Sequence, residues 1–166
     1  MESLMKTTYI IDKVTRELLS GDLELRDEFE KYLSKTGPTL TRIFEGKLNW
    51  VNLNLQYLIE ECGFLVCRRN GKIVGHMIYH LGGTPLDASV KILRQVSFHT
   101  RPNSGRAAYH LFHKFIDIGK KEANHIITAL TSHTNIKPET LEKYGFNKLE
   151  TLYRMEVNNE FGQHIT

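Results

Sequence analysis

ILRQVSFHTRPNSGRAAYHLFHKFIDIGKKEA, residues Ile92–Ala123, is the stretch whose reading decides the fold. In its first third Ile92, Arg94, Val96 and Phe98 alternate with Leu93, Gln95, Ser97 and His99. Both alternating sets carry apolar residues, as in a strand inside a sheet with both faces partly covered. The chain then turns through RPNSGR into a run where Ala108, Leu111, Phe112, Phe115 and Ile118 fall at helical spacing. Lys120 and Lys121 sit in the last turn, where positive charge suits the helix dipole. A strand, a short Gly-containing turn and a helix aim unpaired backbone N–H groups at whatever lies above the turn. An anionic group such as phosphate is favoured there by the orphan amides and by the positive helix end. Arg106, at the helix start, is placed to contact the same anion. The alternative is that Pro102, Asn103 and Gly105 only make a tight turn.

Around this centre the other segments read as supports. GFLVCRRNGKIVGHMIYHL, residues 63–81, holds Asn70-Gly71 between two β-rich runs. That pair marks a type I′ hairpin, because both turn positions need positive φ. His76 and His80 share one strand face, too far apart for one metal ion, and read as sheet-face residues. GGTPLDASV reads as a loop, Asn124 as a helix C-cap, and HIITALTS as a buried parallel strand over 126–131. The central strand, helix and that strand then form a right-handed βαβ unit. Pro138 starts and Gly145 stops a short helix, and Leu149, Thr151, Tyr153, Met155 and Val157 alternate as a closing strand.

Toward the N-terminus, TTYIIDKV is a strand candidate. Leu25, Phe29 and Leu33 mark one helix face, closed at Gly37-Pro38, with Arg26, Asp27, Glu28, Glu30 and Lys31 as its solvated side. Trp50, Val51, Leu55, Leu58 and Ile59 suggest a second helix ending near Gly63. His110 and His113 lie on adjacent turns of the long helix, with no third ligand in sight, and no metal is expected.

At 166 residues the chain has the length of one domain, 1–166, and 40% hydrophobic residues suffice for a packed core. The net charge of +3 comes without a basic cluster interleaved with aromatics, which argues against nucleic acid as a partner. Cys62 and Cys67 form no CxxC pair and read as free thiols of a reducing compartment. No apolar run is long enough for a membrane span, and the start lacks a signal-peptide core. The expected location is the cytoplasm.

The order of these elements, with LEKYGF after them, resembles the GNAT acyltransferase superfamily, which transfers an acyl group from acyl-coenzyme A. Its signature of Arg or Gln, two residues, Gly, one residue, and Gly or Ala lies on Asn103, Ser104, Gly105, Arg106, Ala107 and Ala108, with Leu111 following in the helix. Asn103 stands where the family has Arg or Gln, and Arg106 where it has the first Gly. The arrangement also resembles small GNAT-like proteins of bacteriophages, for which the compartment is the host cytoplasm. The resemblance implies an α/β (α+β) fold: a mixed, mostly antiparallel sheet with splayed central strands and flanking helices. It implies acetyl-CoA as co-substrate, its pantetheine arm along Val96, Ser97 and Phe98. Its pyrophosphate falls over Ser104 to Ala108, and Asn135 contacts it from the other side. The family's strand Glu is replaced here by Arg94 and Gln95, and its acid Tyr by Leu141, with Tyr144 nearly one turn further on. Tyr144 and His99 are therefore the acid–base candidates. The implied acceptor is an amine of a small molecule or protein, and a homodimer is compatible. The alternative is a non-catalytic GNAT-like binding or assembly protein that has lost those residues.

Overall fold

The computed structural model of the chain describes residues 7–40, 55–130 and 136–149. The elements, in order, are β1 (Tyr9–Lys13), α1 (Arg16–Gly21), α2 (Leu23–Leu40), α3 (Leu55–Glu60), β2 (Gly63–Arg69), β3 (Lys72–Gly83), β4 (Lys91–Thr100), α4 (Ala107–Glu122), β5 (His125–Ile127) and α5 (Pro138–Lys143). The five strands make one sheet in the order β1-β2-β3-β4-β5, antiparallel except for the parallel pair β4–β5.

Local chemistry explains most boundaries. Asn70 and Gly71 take φ of 51° and 83° at the β2–β3 turn, the positive values a type I′ hairpin requires. Thr15 and Asp22 cap α1 and α2, their side-chain oxygens accepting from Leu18 N–H at 3.1 Å and Leu25 N–H at 2.9 Å. Pro138 is at the start of α5, and Gly145, with φ of 88°, lies just past its end.

Several expectations change. The helix α2 runs on through Gly37 and Pro38 to Leu40. A proline this near the end deprives only the Ser34 carbonyl of its helical N–H, so the final turn survives. Gly82 and Gly83 belong to β3, not to the loop after it. Ala123, not Asn124, is the C-cap of α4; Asn124 instead exchanges hydrogen bonds of 2.9 Å with Lys91 N–H and Lys91 C=O, fixing where β5 meets β4. Of the strand read over 126–131, the described residues are regular over His125–Ile127 alone, and Thr131 lies outside them. Trp50 and Val51 lie outside the described residues, as does the closing strand beyond Leu149.

Two apolar layers sandwich the sheet. On one face α4 packs Ala108, Leu111, Phe112 and Phe115 against Leu65, Met77, Tyr79, Leu93 and Phe98. On the other, Leu25, Phe29 and Tyr32 of α2 pack against Phe64, Val66, Ile73 and Ile78. Two β-bulges adjust the ladders. Cys67 pairs with Gly75 and Arg68 with Ile73, so Val74 is skipped. The Val74 carbonyl accepts from Arg101 N–H at 2.8 Å, and Glu28 accepts from Ile73 N–H at 3.0 Å. Glu28 is thus a tie between α2 and β3 rather than part of a solvated face. The second bulge, at Val96, belongs to the site.

One polar side chain lies in the middle of the α2 layer. His76 is fully buried, with Tyr32 OH 2.7 Å from Nδ1 and Ser97 Oγ 2.9 Å from Nε2. Burial, reinforced by the neighbouring His99, lowers its pKa to about 3, so it folds as the neutral imidazole.

Two tests follow from this packing. A Cβ on Gly75 would lie 2.7 Å from Thr100 Cγ2 and 2.9 Å from the His99 carbonyl, whereas one on Gly21 meets nothing within 4 Å. Gly75→Ala should lower stability in urea by about 1–3 kcal/mol, and Gly21→Ala should leave it level or raise it. The second test is pH dependence. Below the ordinary histidine pKa of 6.5 the unfolded chain binds a proton that His76 refuses until about pH 3. Stability should therefore fall with pH across that window, by at most about 1.4 kcal/mol per unit. His76→Gln removes this contribution, so the stability gap between parent and variant should narrow as pH falls.

Candidate functional site

The site begins where β4 loses its neighbours. Toward β5, Ile92 pairs with His125, Leu93 with Ile126 and Arg94 with Ile127; among the described residues the ladder stops there. Gln95 bridges the first gap with its side chain, donating from Nε2 to the Ala129 carbonyl at 3.0 Å and accepting from Thr128 Oγ1. Toward β3, Ile78 pairs with Ser97 and Tyr79 with Gln95, leaving Val96 in a bulge, 53% exposed. A bulged residue has its amide and carbonyl out of the ladder. Val96 therefore has a backbone donor and acceptor outside the β3 ladder, while Ser97 and Phe98 stay in register with Ile78 and Met77.

The turn after β4 is shaped by Asn103 and Gly105, with φ of 57° and 63°. Arg69 Nη1 donates to the Asn103 carbonyl at 2.7 Å and holds the turn against the β2–β3 hairpin. Not every amide from Ser104 to Ala108 is open. Ser104 N–H donates to the Arg101 carbonyl at 3.2 Å, and Ala107 N–H to the Ser104 carbonyl at 3.4 Å. Arg106 N–H donates to the Tyr9 hydroxyl at 3.2 Å. Gly105, Ala108 and Tyr109 retain amides without such a bond among the described residues, and Arg106 itself is exposed at the N-cap. Gly105 is required twice over, because a Cβ there would meet the Tyr9 oxygen at 2.3 Å. The result is a small group of amides at a helix start, suited to an anion.

On the α2 side of β4 lies a cluster that sequence reasoning missed. Tyr32, His76 and Ser97 form a continuous chain of side chains from α2 through β3 to β4. The Arg101 guanidinium stands 5.1 Å from the Tyr32 ring centroid, and the His99 ring lies 6.0 Å from that of His76. Burial raises the Tyr32 phenol well above its usual pKa. The signals were present but incomplete: Tyr32 extends the Leu25–Phe29 stripe, and Ser97 and His99 alternate on one strand face.

Tyr144 is the C-cap residue of α5. Its ring meets Phe112 edge-on at 5.7 Å, and its hydroxyl lies 2.6 Å from His113 Nε2. Phe112 in turn stacks on Phe98 of β4 at 6.3 Å, so Tyr144 reaches the central strand through one intervening ring. His110 stacks on Tyr9 at 4.7 Å. Both helix histidines thus have aromatic partners. Asn135 lies outside the described residues. Among the described residues no group of three or more His, Cys, Asp or Glu is placed to hold a metal, and no helix is long and apolar enough to cross a membrane. Cys62 and Cys67 are buried free thiols, and burial pushes Cys67 up to about 12, leaving it unreactive.

No protein-family model matches the chain, and no curated protein matches it by sequence. Solved structures do. Ribosomal-protein-alanine N-acetyltransferase from Brucella melitensis biovar Abortus 2308 superimposes with a TM-score of 0.65 at 13% identity, over 92% of this chain and 99% of that one. AAC(6')-Iy in complex with the bisubstrate analog CoA-S-monomethyl-acetylneamine gives 0.58 at 11% identity, over 91% and 99%. A transcriptional regulator from Bacillus halodurans C-125 gives 0.63 at 12% identity, over 90% and 100%. Identities this low speak to architecture alone, and the architecture is shared end to end with those chains. The protein has the GNAT fold of the acetyltransferases.

Proposed function

We propose that the chain transfers an acyl group, acetyl first of all, from acyl-coenzyme A to an amine of a small molecule or protein. The observation that carries this reading is the coincidence of the β4–β5 split and the Val96 bulge on one strand, followed directly by the amide-lined turn into α4. The residues present suit such a co-substrate. Val96, Ser97 and Phe98 would hold the pantetheine arm by backbone bonds. The turn from Asn103 through Ser104, Gly105, Arg106, Ala107 and Ala108 would hold the pyrophosphate, with the open amides of Gly105 and Ala108 as donors and Arg106 as counter-charge. Asn135 would be a further contact to the co-substrate. What acetyl-CoA supplies is an activated thioester. The protein must bring the amine to it, accept a proton from the amine, and stabilise the departing sulfur.

His99, on β4 three residues beyond the bulged Val96, is assigned the first proton. Tyr144, anchored on His113, is assigned to the sulfur. The fold alone does not demand turnover, since the same architecture serves a protein described as a transcriptional regulator. A second reading, a GNAT-like binding or assembly protein, is favoured by one specific observation. Gln95, at the place of the family's Glu, spends both ends of its amide on Thr128 and Ala129 instead of facing a substrate.

Calorimetry should show acetyl-CoA binding by the parent protein, weakened about 5–30-fold in Arg106→Ala, the loss of one charge-assisted contact of about 1–2 kcal/mol. Absence of binding by the parent would remove the acyl-transfer reading. Tyr144→Phe keeps the ring on Phe112 and deletes only the hydroxyl. Turnover should drop about 10²–10⁴-fold with acetyl-CoA affinity intact. An unchanged rate would return Tyr144 to packing. Binding without turnover on any amine would select the second reading.

A further inference from the structure

We infer that Ser97 is the hydrogen-bond donor to the acyl carbonyl oxygen, its hydroxyl aimed by the buried pair Tyr32 and His76, which act only through it. The inference rests on the acyl-transfer reading and assigns it a residue that neither the sequence motif nor the fold supplies.

Proton counting limits how these bonds can run. A neutral imidazole has one N–H and one bare nitrogen, so one of its two bonds must be donated and the other accepted. The Tyr32–Nδ1 and Nε2–Ser97 contacts, at 2.7 and 2.9 Å, therefore run in a single direction, either toward Ser97 or away from it. Of the two hydroxyls at the ends of the imidazole, the phenol is by far the stronger acid and so the better donor to a bare ring nitrogen. The Arg101 guanidinium, 5.1 Å from the Tyr32 ring centroid, draws electron density from the ring and strengthens that donor. The phenol therefore directs its proton to Nδ1. The imidazole proton then resides on Nε2 and is donated to Ser97 Oγ. With that lone pair engaged, the Ser97 proton must point away from His76. Ser97 is half-buried and adjoins the Val96 bulge, which is where the proton can go.

This direction also excludes a nucleophilic Ser97. A serine nucleophile needs Nε2 bare and able to take its proton, whereas buried His76 carries a proton there and resists a second. A fixed O–H is instead suited to an oxygen on which negative charge develops, because it requires no reorientation during reaction. In the transfer the amine lone pair forms the C–N bond while the carbonyl π pair moves onto oxygen, where Ser97 donates without releasing its proton. The pair returns as the C–S bond breaks, its electrons leaving with sulfur. The amine proton passes to His99.

The test combines spectroscopy with kinetics on the full chain. Nitrogen-15 NMR of the parent should find the His76 proton on Nε2, and Tyr32→Phe should move the ring toward a mixture of tautomers. With acetyl-CoA and a reactive amine, Ser97→Ala should lower kcat about 10²-fold at nearly constant KM for acetyl-CoA. Ser97→Thr, which keeps the hydroxyl, should retain most of the rate, and Tyr32→Phe should show a smaller loss confined to kcat. A proton on Nδ1, or a Ser97→Ala enzyme as fast as the parent, overturns the inference while leaving the acyl-transfer reading in place. A parent that neither binds acetyl-CoA nor consumes it overturns that reading, and the donor role with it.

Discussion

Strand β4 cannot stay paired on both sides, and most of what is distinctive in this molecule follows from that constraint. Among the described residues its partner β5 stops pairing after Arg94, and two residues further on its partner β3 slips register at Val96. Unpaired backbone inside a sheet is costly unless something else bonds it. Here the Gln95 side chain closes the first gap, and Val96 opens to solvent. What remains among the described residues is a short length of polar backbone at Val96, outside the β3 ladder and beyond the last pair with β5.

The supports on either side of β4 are unlike in chemistry. Toward α4 the contacts are apolar rings, Phe98 on Phe112 and Phe112 against Phe115, Tyr144 and Phe146. Their stabilisation is non-directional and fixes the distance between helix and sheet. Toward α2 the layer carries a polar line, Tyr32–His76–Ser97, inside an otherwise apolar core. Each such bond is worth about 0.5–1.5 kcal/mol net, while leaving one partner buried and unsatisfied costs about 1–3 kcal/mol. An apolar side chain at His76 would fill the same space at less risk. A buried polar line that ends at the bulged strand is thus better suited to orienting a group than to holding the fold.

Sequence made legible what depends on neighbours along the chain. The Asn70-Gly71 turn and the helix from Ala107 are each set by a few adjacent residues, and each is where it was read. What it hid are contacts between residues far apart in the chain. Tyr32 and His76 are separated by 44 positions, and Tyr9 caps the amide of Arg106 across 97. Glu28 looked like one charge among several on an exposed helix face because nothing local reveals the bulge whose amide it accepts. The short β5 was overread for the complementary reason: a β-branched apolar run signals strand propensity, but pairing ends where the partner strand diverges.

The same division explains how this chain can share an architecture so completely with proteins it scarcely resembles in sequence. Presenting the amides of a bulged strand, and those of a helix start, asks almost nothing of side chains beyond a Gly where the backbone turns left-handed. Such a half-site survives wide sequence drift. Proton transfer is different, since it needs particular atoms at particular places, and a substitution on β4 can be offset only by a side chain arriving from another element. In this chain Arg94 faces out at the edge of the split and Gln95 is occupied in closing it, so β4 has no carboxylate to offer at that point. The polar atoms that do converge on the bulge come from β4 itself at Ser97 and, through His76, from α2. A hydroxyl aimed at the bulge on this frame is therefore the work of three elements, Tyr32 on α2, His76 on β3 and Ser97 on β4, and no one motif spells it out.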